Sequence, residues 1–171
     1  LYASRILIDK GLPIKLIFAG QGAQKENLVK TANLLNLTER ITFLGFIENT
    51  ELNLYYRLAD IFVISSMSTI TWEEQFGFVV AEAMGCGLPV IATNSGALPE
   101  IVGDTGRIYI QGNYRELAKH LYEILTNEQL RQLLSINSRK RAEELFNNKK
   151  NSRKIYDIFR KVLNNEDRKN T

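Results

Sequence analysis

The chain has 171 residues, a formal net charge of +3 and 44% hydrophobic residues, which suffices for one globular domain with its own core. Its single cysteine, Cys86, excludes a disulfide within the chain, and its single histidine, His120, leaves no His/Cys cluster of metal-ligand spacing. No apolar run approaches the roughly 20 residues needed to cross a bilayer, so we expect a cytoplasmic protein.

The charge is unevenly distributed along the chain. Residues 1–110 hold 8 Lys/Arg against 11 Asp/Glu, a net −3, whereas residues 111–171 hold 14 against 8, a net +6. A basic tail fits a solvated helical face, which we favour, or a peripheral contact with anionic lipid at the inner face of a membrane. We expect no nucleic acid partner.

The first third of the chain alternates helical and strand patterns. An amphipathic pattern begins at Leu1 and ends near Gly11, and an apolar strand at 14–19 follows it. Gly20-Gln21-Gly22 closes that strand and fits either an ordinary strand-to-helix turn or part of a ligand cleft. A helix is predicted over 24–37, with Leu28, Ala32 and Leu35 facing inward.

The alternation continues to the middle of the chain. We predict a strand at 41–47, a helix at 51–59 and a strand at 61–66. A polar loop without Gly or Pro, residues 67–71, comes next, and its expected use is flexible cover near a ligand. Trp72 follows this loop, and its side chain would either stack on a sugar ring or fill a structural gap beside the loop.

Residues 71–99 concentrate the chemistry. Glu74 and Glu82 stand eight positions apart, Phe76-Gly77 starts a short apolar helix between them, and Gly85-Cys86-Gly87 ends it before a strand at 89–92. A helix that opens on glycine presents unpaired N–H groups and favours negative charge, so it is a natural phosphate seat. Carboxylates bind vicinal hydroxyls instead. The pattern predicts a ligand that is anionic in the middle and hydroxyl-rich at both ends, such as a nucleotide diphosphate sugar.

The rest of the chain completes an α/β pattern. Residues 94–100 form another strand-to-helix connection, a strand is predicted at 107–110, and helices follow from Asn113. Short apolar strands alternating with helices predict a doubly wound parallel sheet with helices on both faces and ligands at the carboxyl ends of its strands. We divide the chain into a Rossmann-like domain at 1–146 and a basic helical tail at 147–171.

Three motifs make the chain similar to a known family. They are Glu74-x7-Glu82 enclosing Phe76-Gly77, the run from Glu82-Ala83-Met84 to Pro89-Val90-Ile91-Ala92, and Gly96-Ala97-x-Pro99-Glu100. Together they resemble the C-terminal, donor-binding domain of retaining glycosyltransferases with the GT-B fold, and the resemblance extends from about residue 3 to residue 125. Two departures are Ser65-Ser66, where the family commonly has Pro-Ser, and Gly96-Ala97, where it usually has two glycines.

The resemblance implies roles for individual residues. Glu74 would contact the hydroxyls of the transferred sugar and orient it for transfer with retention, and Glu82 would bind the ribose. The motif residue Phe76 precedes Gly77, Phe78 and Val79, whose main-chain N–H groups would hold the diphosphate in place of a metal, so no metal or cofactor is expected. The backbone at Phe46 and Ile47 would read the nucleobase, although both side chains fit an apolar core equally well.

The resemblance also implies parts that the sequence does not contain. A strand carrying an Arg and a Lys would precede the first helix, and Lys10-Gly11 follows that helix, so we do not transfer the role to it. An N-terminal acceptor domain would complete the protein, and the terminal helix would cross back to it. We therefore expect a fragment that binds donor weakly and transfers little sugar alone.

Other functions stay open at the sequence level. A regulatory module that binds a nucleotide sugar without turnover and a GT-B epimerase or phosphorylase-like protein are the alternatives, and retention of both Glu74 and Glu82 argues against the regulatory module. A dinucleotide-binding protein is disfavoured, because no G-x-G-x-x-G follows a strand with an acidic residue about 20 positions later. We expect His120 at a surface or boundary and Cys86 in packing.

Overall fold

The computed structural model describes residues 1–167, with side chains to residue 164. It contains helices and strands in the alternating order that the sequence predicts. The helices are α1 (Tyr2–Asp9), α2 (Lys25–Leu34), α3 (Asn49–Leu58), α4 (Phe78–Gly85), α5 (Leu98–Val102), α6 (Tyr114–Thr126), α7 (Glu128–Leu145) and α8 (Asn148–Asp167). The strands are β1 (Leu16–Ala19), β2 (Ile41–Gly45), β3 (Phe62–Ile64), β4 (Val90–Thr93) and β5 (Arg107–Tyr109).

All strand pairs are parallel, which confirms the predicted α/β class. The strands form two sheets, one of β1 and β2 and one in the order β3-β4-β5, with Ile91 of β4 opposite Val63 of β3 and Arg107 of β5. Within the described part of the chain, β1 and β3 each pair along one edge only. Each sheet therefore leaves the carboxyl ends of its strands free to carry loops.

The three-stranded sheet is buried on both faces. Val90 and Ala92 point to one side, into a core completed by α4 and α5, whereas Ile91 points to the other side, towards Ile124 of α6. All four residues of β4 are inaccessible to solvent, as expected for a central parallel strand between two helical layers. The loops that follow β3 and β4 thus start from a buried sheet.

Helix α2 is shorter than the predicted 24–37. It ends at Leu34 because Asn36 adopts a left-handed conformation (φ 53°), and the Leu37 amide then donates to the Ala32 carbonyl at 2.9 Å. This closure buries Leu37 completely. Ala32 is buried and Leu28 and Leu35 are half-buried, so the predicted inward face is confirmed.

Polar side chains attach α7 to the sheet layer. Ser135 Oγ donates to the Gly87 carbonyl at 2.6 Å, Ser138 Oγ donates to the Thr105 carbonyl at 3.3 Å, and Arg141 Nε donates to the Ile101 carbonyl at 2.8 Å. These three carbonyls lie outside the strands, in α5 and in the turns that precede β4 and β5, so they have no partner in a strand ladder. The mostly polar α7 is therefore fixed against the α4–β4 and α5–β5 connections.

The last helix, α8, is amphipathic and leaves its apolar face exposed. Residues 168–171 of the predicted tail lie outside the described part. The exposed apolar side chains of α8 are Ile155, Tyr156, Ile158, Phe159, Val162 and Leu163. Among the described residues, no helix has the length and apolarity to cross a membrane.

Candidate functional site

The residues singled out around α4 meet at the carboxyl ends of β3 and β4. Strand β3 ends at Ile64 and leads into Ser65-Ser66, and β4 leads into Asn94-Ser95. The predicted strand at 61–66 is too long, because Ser65 and Ser66 leave the ladder. The Ser66 hydroxyl bonds to Glu74, whereas Ser65 Oγ accepts from the Tyr109 hydroxyl at 3.0 Å. Glu74 lies in the loop between β3 and α4 and contacts residues that follow both strands.

The Glu74 carboxylate is held by two donors. Ser66 Oγ donates to Oε2 at 3.1 Å, and the Gly77 amide donates to Oε1 at 3.1 Å. The Glu74 backbone is fixed as well, because the Ala97 amide donates to its carbonyl at 2.9 Å. The side chain is half-buried, so this carboxylate has a defined orientation and is not a free loop residue.

Gly96 lets the Glu74 loop come this close. It has φ 49°, and a Cβ at this position would overlap the Glu74 carbonyl oxygen. At this position glycine is required by a close approach between two stretches of backbone, its own and that of Glu74.

Gly77 is the N-cap of α4 in a left-handed conformation, with φ 70° and ψ 58°. A Cβ there would lie 2.8 Å from Leu98 Cδ2, so the residue must be small as well as flexible. Its amide is already used by Glu74. The next two amides, of Phe78 and Val79, have no acceptor within the helix by geometry, and both side chains are exposed. Phe76 packs its ring 5.6 Å from that of Phe146.

Glu82 is exposed on α4 between the buried residues Val80, Ala83 and Met84. Its partner is the Tyr56 hydroxyl of α3, which donates to Oε2 at 3.1 Å. Burial of the phenol, and then the nearby Glu82 charge, raise the pKa of Tyr56 above its usual range. No ion pair of Glu82 occurs among the described side chains. Tyr56 lies in the helix predicted at 51–59. A tyrosine in a helix gives no indication of a partner 26 positions away, so this contact could not be predicted.

Hydroxyl groups link the loops around Glu74. Ser95 is fully buried, and its Oγ lies 2.9 Å from Ser68 Oγ. The Ser68 amide donates to Gln111 Oε1 at 2.6 Å, and Thr93 Oγ1 donates to the Ser66 carbonyl at 2.7 Å. The loop predicted as flexible cover is therefore anchored at Ser68. The contacts of these serines could not be predicted from the sequence, because single hydroxyls carry no spacing signal.

Comparisons with known proteins identify the family. The family model described as "Glycosyl transferases group 1" matches residues 2–141. The chain belongs to this family. N-acetyl-alpha-D-glucosaminyl L-malate synthase of Bacillus anthracis is 28% identical over 155 residues, which is 89% of this chain and 39% of that protein. The chain thus spans less than half the length of this glycosyltransferase relative.

Solved structures show the same fold. The Anabaena protein HepE, in a complex with UDP, gives a TM-score of 0.80 at 23% identity over 94% of this chain and 44% of that one. The C-terminal domain of a group 1 family glycosyltransferase (LpcC) from Francisella tularensis gives 0.65 at 23% identity over 81% of this chain and 90% of that domain. The expected fold, that of the C-terminal domain of a GT-B glycosyltransferase, is confirmed.

Three other residues named in the sequence analysis, Phe46, Ile47 and Trp72, are exposed or half-buried. Phe46 and Ile47 follow β2, in the other sheet, with Phe46 66% exposed and Ile47 half-buried. Phe46 is therefore not a core residue. Trp72 is 50% exposed and lines an open depression with residues 69–71, 73 and 75. Half-exposure does not fit a structural plug.

Two further residues have the surroundings expected of structural positions. His120 lies in the middle of α6 between core and surface, with 15% of its side chain exposed and Nδ1 3.7 Å from Glu123 Oε2. Cys86 packs against the core below α4. Among the described residues, no group of three His, Cys, Asp or Glu side chains is arranged to hold a metal ion.

Proposed function

We propose that this domain binds a nucleotide diphosphate sugar and supports retaining transfer of the sugar to an acceptor hydroxyl. The observation that carries the proposal is that Glu74 precedes α4 and Glu82 follows its first turn, with Glu74 accepting from the Gly77 amide at the helix N-terminus and Glu82 exposed. Two carboxylates with an amide-rich helix end between them match the alternation of hydroxyls, diphosphate and hydroxyls in such a donor.

The diphosphate would lie at the N-terminus of α4. The amides of Phe78 and Val79 point from the first turn without intrahelical acceptors, and the helix dipole adds partial positive charge there. The Gly77 amide would assist once Glu74 engages the sugar instead. Stabilising the departing diphosphate is the main catalytic task, because negative charge builds up on it as the bond to the sugar breaks. This arrangement requires no divalent cation.

The sugar and the nucleoside would occupy opposite flanks. Glu74, oriented by Ser66, would accept hydrogen bonds from sugar hydroxyls. Glu82 is exposed and would accept them from the ribose. The backbone at Phe46 and Ile47 would contact the nucleobase from the end of β2. The solved complex of HepE with UDP supports a nucleotide ligand for this fold.

The acceptor would be bound by another part of a longer protein. This chain matches 39% of one relative and 44% of HepE, so an N-terminal acceptor domain is the proposed partner, and the exposed apolar face of α8 would pack against it. The polar side of α8 would meet anionic lipid at the inner face of the membrane. Its basic residues are Lys149, Lys150, Arg153, Lys154, Arg160 and Lys161.

Nucleotide titration of the chain, followed by NMR, tests the proposal. UDP, GDP and ADP should be tried, since the base is not specified by this geometry. We expect one of them to bind, Glu82→Ala to weaken it by at least about tenfold through loss of a charged acceptor, and EDTA to leave the affinity unchanged. Unchanged affinity in Glu82→Ala would remove Glu82 from the ribose site, and failure of all three nucleotides would overturn the proposal.

A further inference from the structure

We propose that Tyr56 is a positioning residue for the donor: its hydroxyl fixes the Glu82 carboxylate in the orientation that accepts hydrogen bonds from the ribose. The inference rests on the proposed function and deepens it. It adds a residue from α3, a helix that carries none of the motif residues. Tyr56 would touch no part of the substrate and would act through Glu82 alone.

The Tyr56 ring is rigidly held. Only 8% of the residue is exposed, and its ring packs edge-on to Phe62 of β3, with centroids 5.8 Å apart and planes at 77°. It belongs to the same buried cluster as Ala83 and Met84 of α4. A side chain fixed in this way has lost its rotamer freedom on folding, so its hydroxyl offers a donor at a constant position.

Glu82, in contrast, is exposed and depends on this contact. A free glutamate side chain samples many rotamers, and ordering it costs up to about 2 kcal/mol. The Tyr56 bond to Oε2, 3.1 Å long, is the hydrogen bond that restrains it among the described residues. The ordering is therefore complete before a ligand arrives, which is how preorganisation raises affinity.

The Tyr56 hydroxyl is chemically suited to orient the Glu82 carboxylate. Burial keeps the pKa of the Tyr56 phenol above its usual range, so the group stays protonated and donates to the carboxylate. A neutral donor leaves the full negative charge on Glu82, whereas an Arg or Lys would pair with it. Oε1 and the second lone pair of Oε2 remain free to accept from two adjacent hydroxyls.

The chain offers a matched control. Tyr55 precedes Tyr56 on α3 and is half-buried, but its hydroxyl makes no hydrogen bond among the described residues. Tyr55→Phe and Tyr56→Phe remove the same atom from neighbouring positions of one helix. Phenylalanine also keeps the ring that packs on Phe62, so urea unfolding should show that both variants stay folded.

The test compares nucleotides with and without ribose hydroxyls. Whichever of UDP, GDP and ADP binds is titrated by NMR against its 2′,3′-dideoxy form. Tyr56→Phe should weaken the ribonucleotide by about 3- to 10-fold, as expected for one net hydrogen bond, and the dideoxy form by less than twofold. Tyr55→Phe should change neither. In the Glu82→Ala background, Tyr56→Phe should have no further effect.

The outcomes distinguish a failure of this inference from a failure of the proposed function on which it rests. If Glu82→Ala weakens binding and Tyr56→Phe does not, the positioning role is wrong and the donor site stands. Equal weakening of both nucleotide forms in Tyr56→Phe would also overturn it, since that pattern indicates a packing defect. If a nucleotide binds and Glu82→Ala has no effect, Glu82 is not at the ribose site and this inference is wrong, whereas nucleotide binding by the domain stands. If no nucleotide binds, the proposed function and this inference are both wrong.

Discussion

Replacing Gly96 by alanine tests whether the Glu74 loop is held as the structure indicates. Gly96 sits at φ 49°, directly against the backbone of Glu74. The added methyl group would overlap the Glu74 carbonyl oxygen, and a backbone atom cannot rotate away as a side chain can. We expect the Glu74 loop to leave its position on the Ser95–Ala97 turn.

The cost can be worked from the contacts that this movement breaks. A left-handed backbone costs alanine about 1 kcal/mol or more relative to glycine. Displacing the loop breaks the bond from the Ala97 amide to the Glu74 carbonyl (2.9 Å) and the weaker one from the Glu74 amide to Ser95 Oγ (3.5 Å), each worth about 1 kcal/mol. The free energy of unfolding should fall by about 3 kcal/mol.

Urea unfolding measures this loss as a lower midpoint at an unchanged m-value. The matched control is Gly85→Ala, at the last residue of α4. A Cβ there would meet nothing within 4 Å, and alanine favours a helix, so stability should stay the same or rise. A loss below about 1 kcal/mol for Gly96→Ala, or equal losses for both variants, would refute the proposed packing of the Glu74 loop.

The remaining predictions concern turnover and the membrane. In the full-length enzyme that we propose, Glu74→Ala should lower kcat at least tenfold with little change in nucleotide affinity, because the proposed role of Glu74 is to contact the sugar and not the nucleotide. Wild-type turnover would contradict that role. The chain should sediment with vesicles containing phosphatidylglycerol and not with pure phosphatidylcholine, and Lys154→Glu on α8 should weaken this binding at least fivefold. Lys30→Glu on α2 makes the same charge change elsewhere, and an equal loss there would show a nonspecific attraction.

Some features of the candidate site could be predicted from local sequence pattern alone. Glu74 and Glu82 could be singled out from their spacing around Phe76-Gly77, because a glycine-started helix and its flanking residues form a local unit. The parallel strands could be predicted for the same reason, since apolar runs bounded by glycines reflect burial on two faces. The strand predicted at 61–66 extends two residues too far, because Ser65 and Ser66 have no local sequence feature that distinguishes a strand residue from a loop residue.

The order of helices and strands, the α/β class and the position of the α4 motif could be predicted from the amino-acid sequence, because periodicity and turn residues are properties of neighbouring positions. The groups that hold the two carboxylates became known only from the packed fold. Tyr56 reaches Glu82 across 26 positions, and Ser95 meets Ser68 across 27. Such contacts depend on how helices pack on the sheet, and one tyrosine or serine in a sequence carries no record of a partner that folding brings to it.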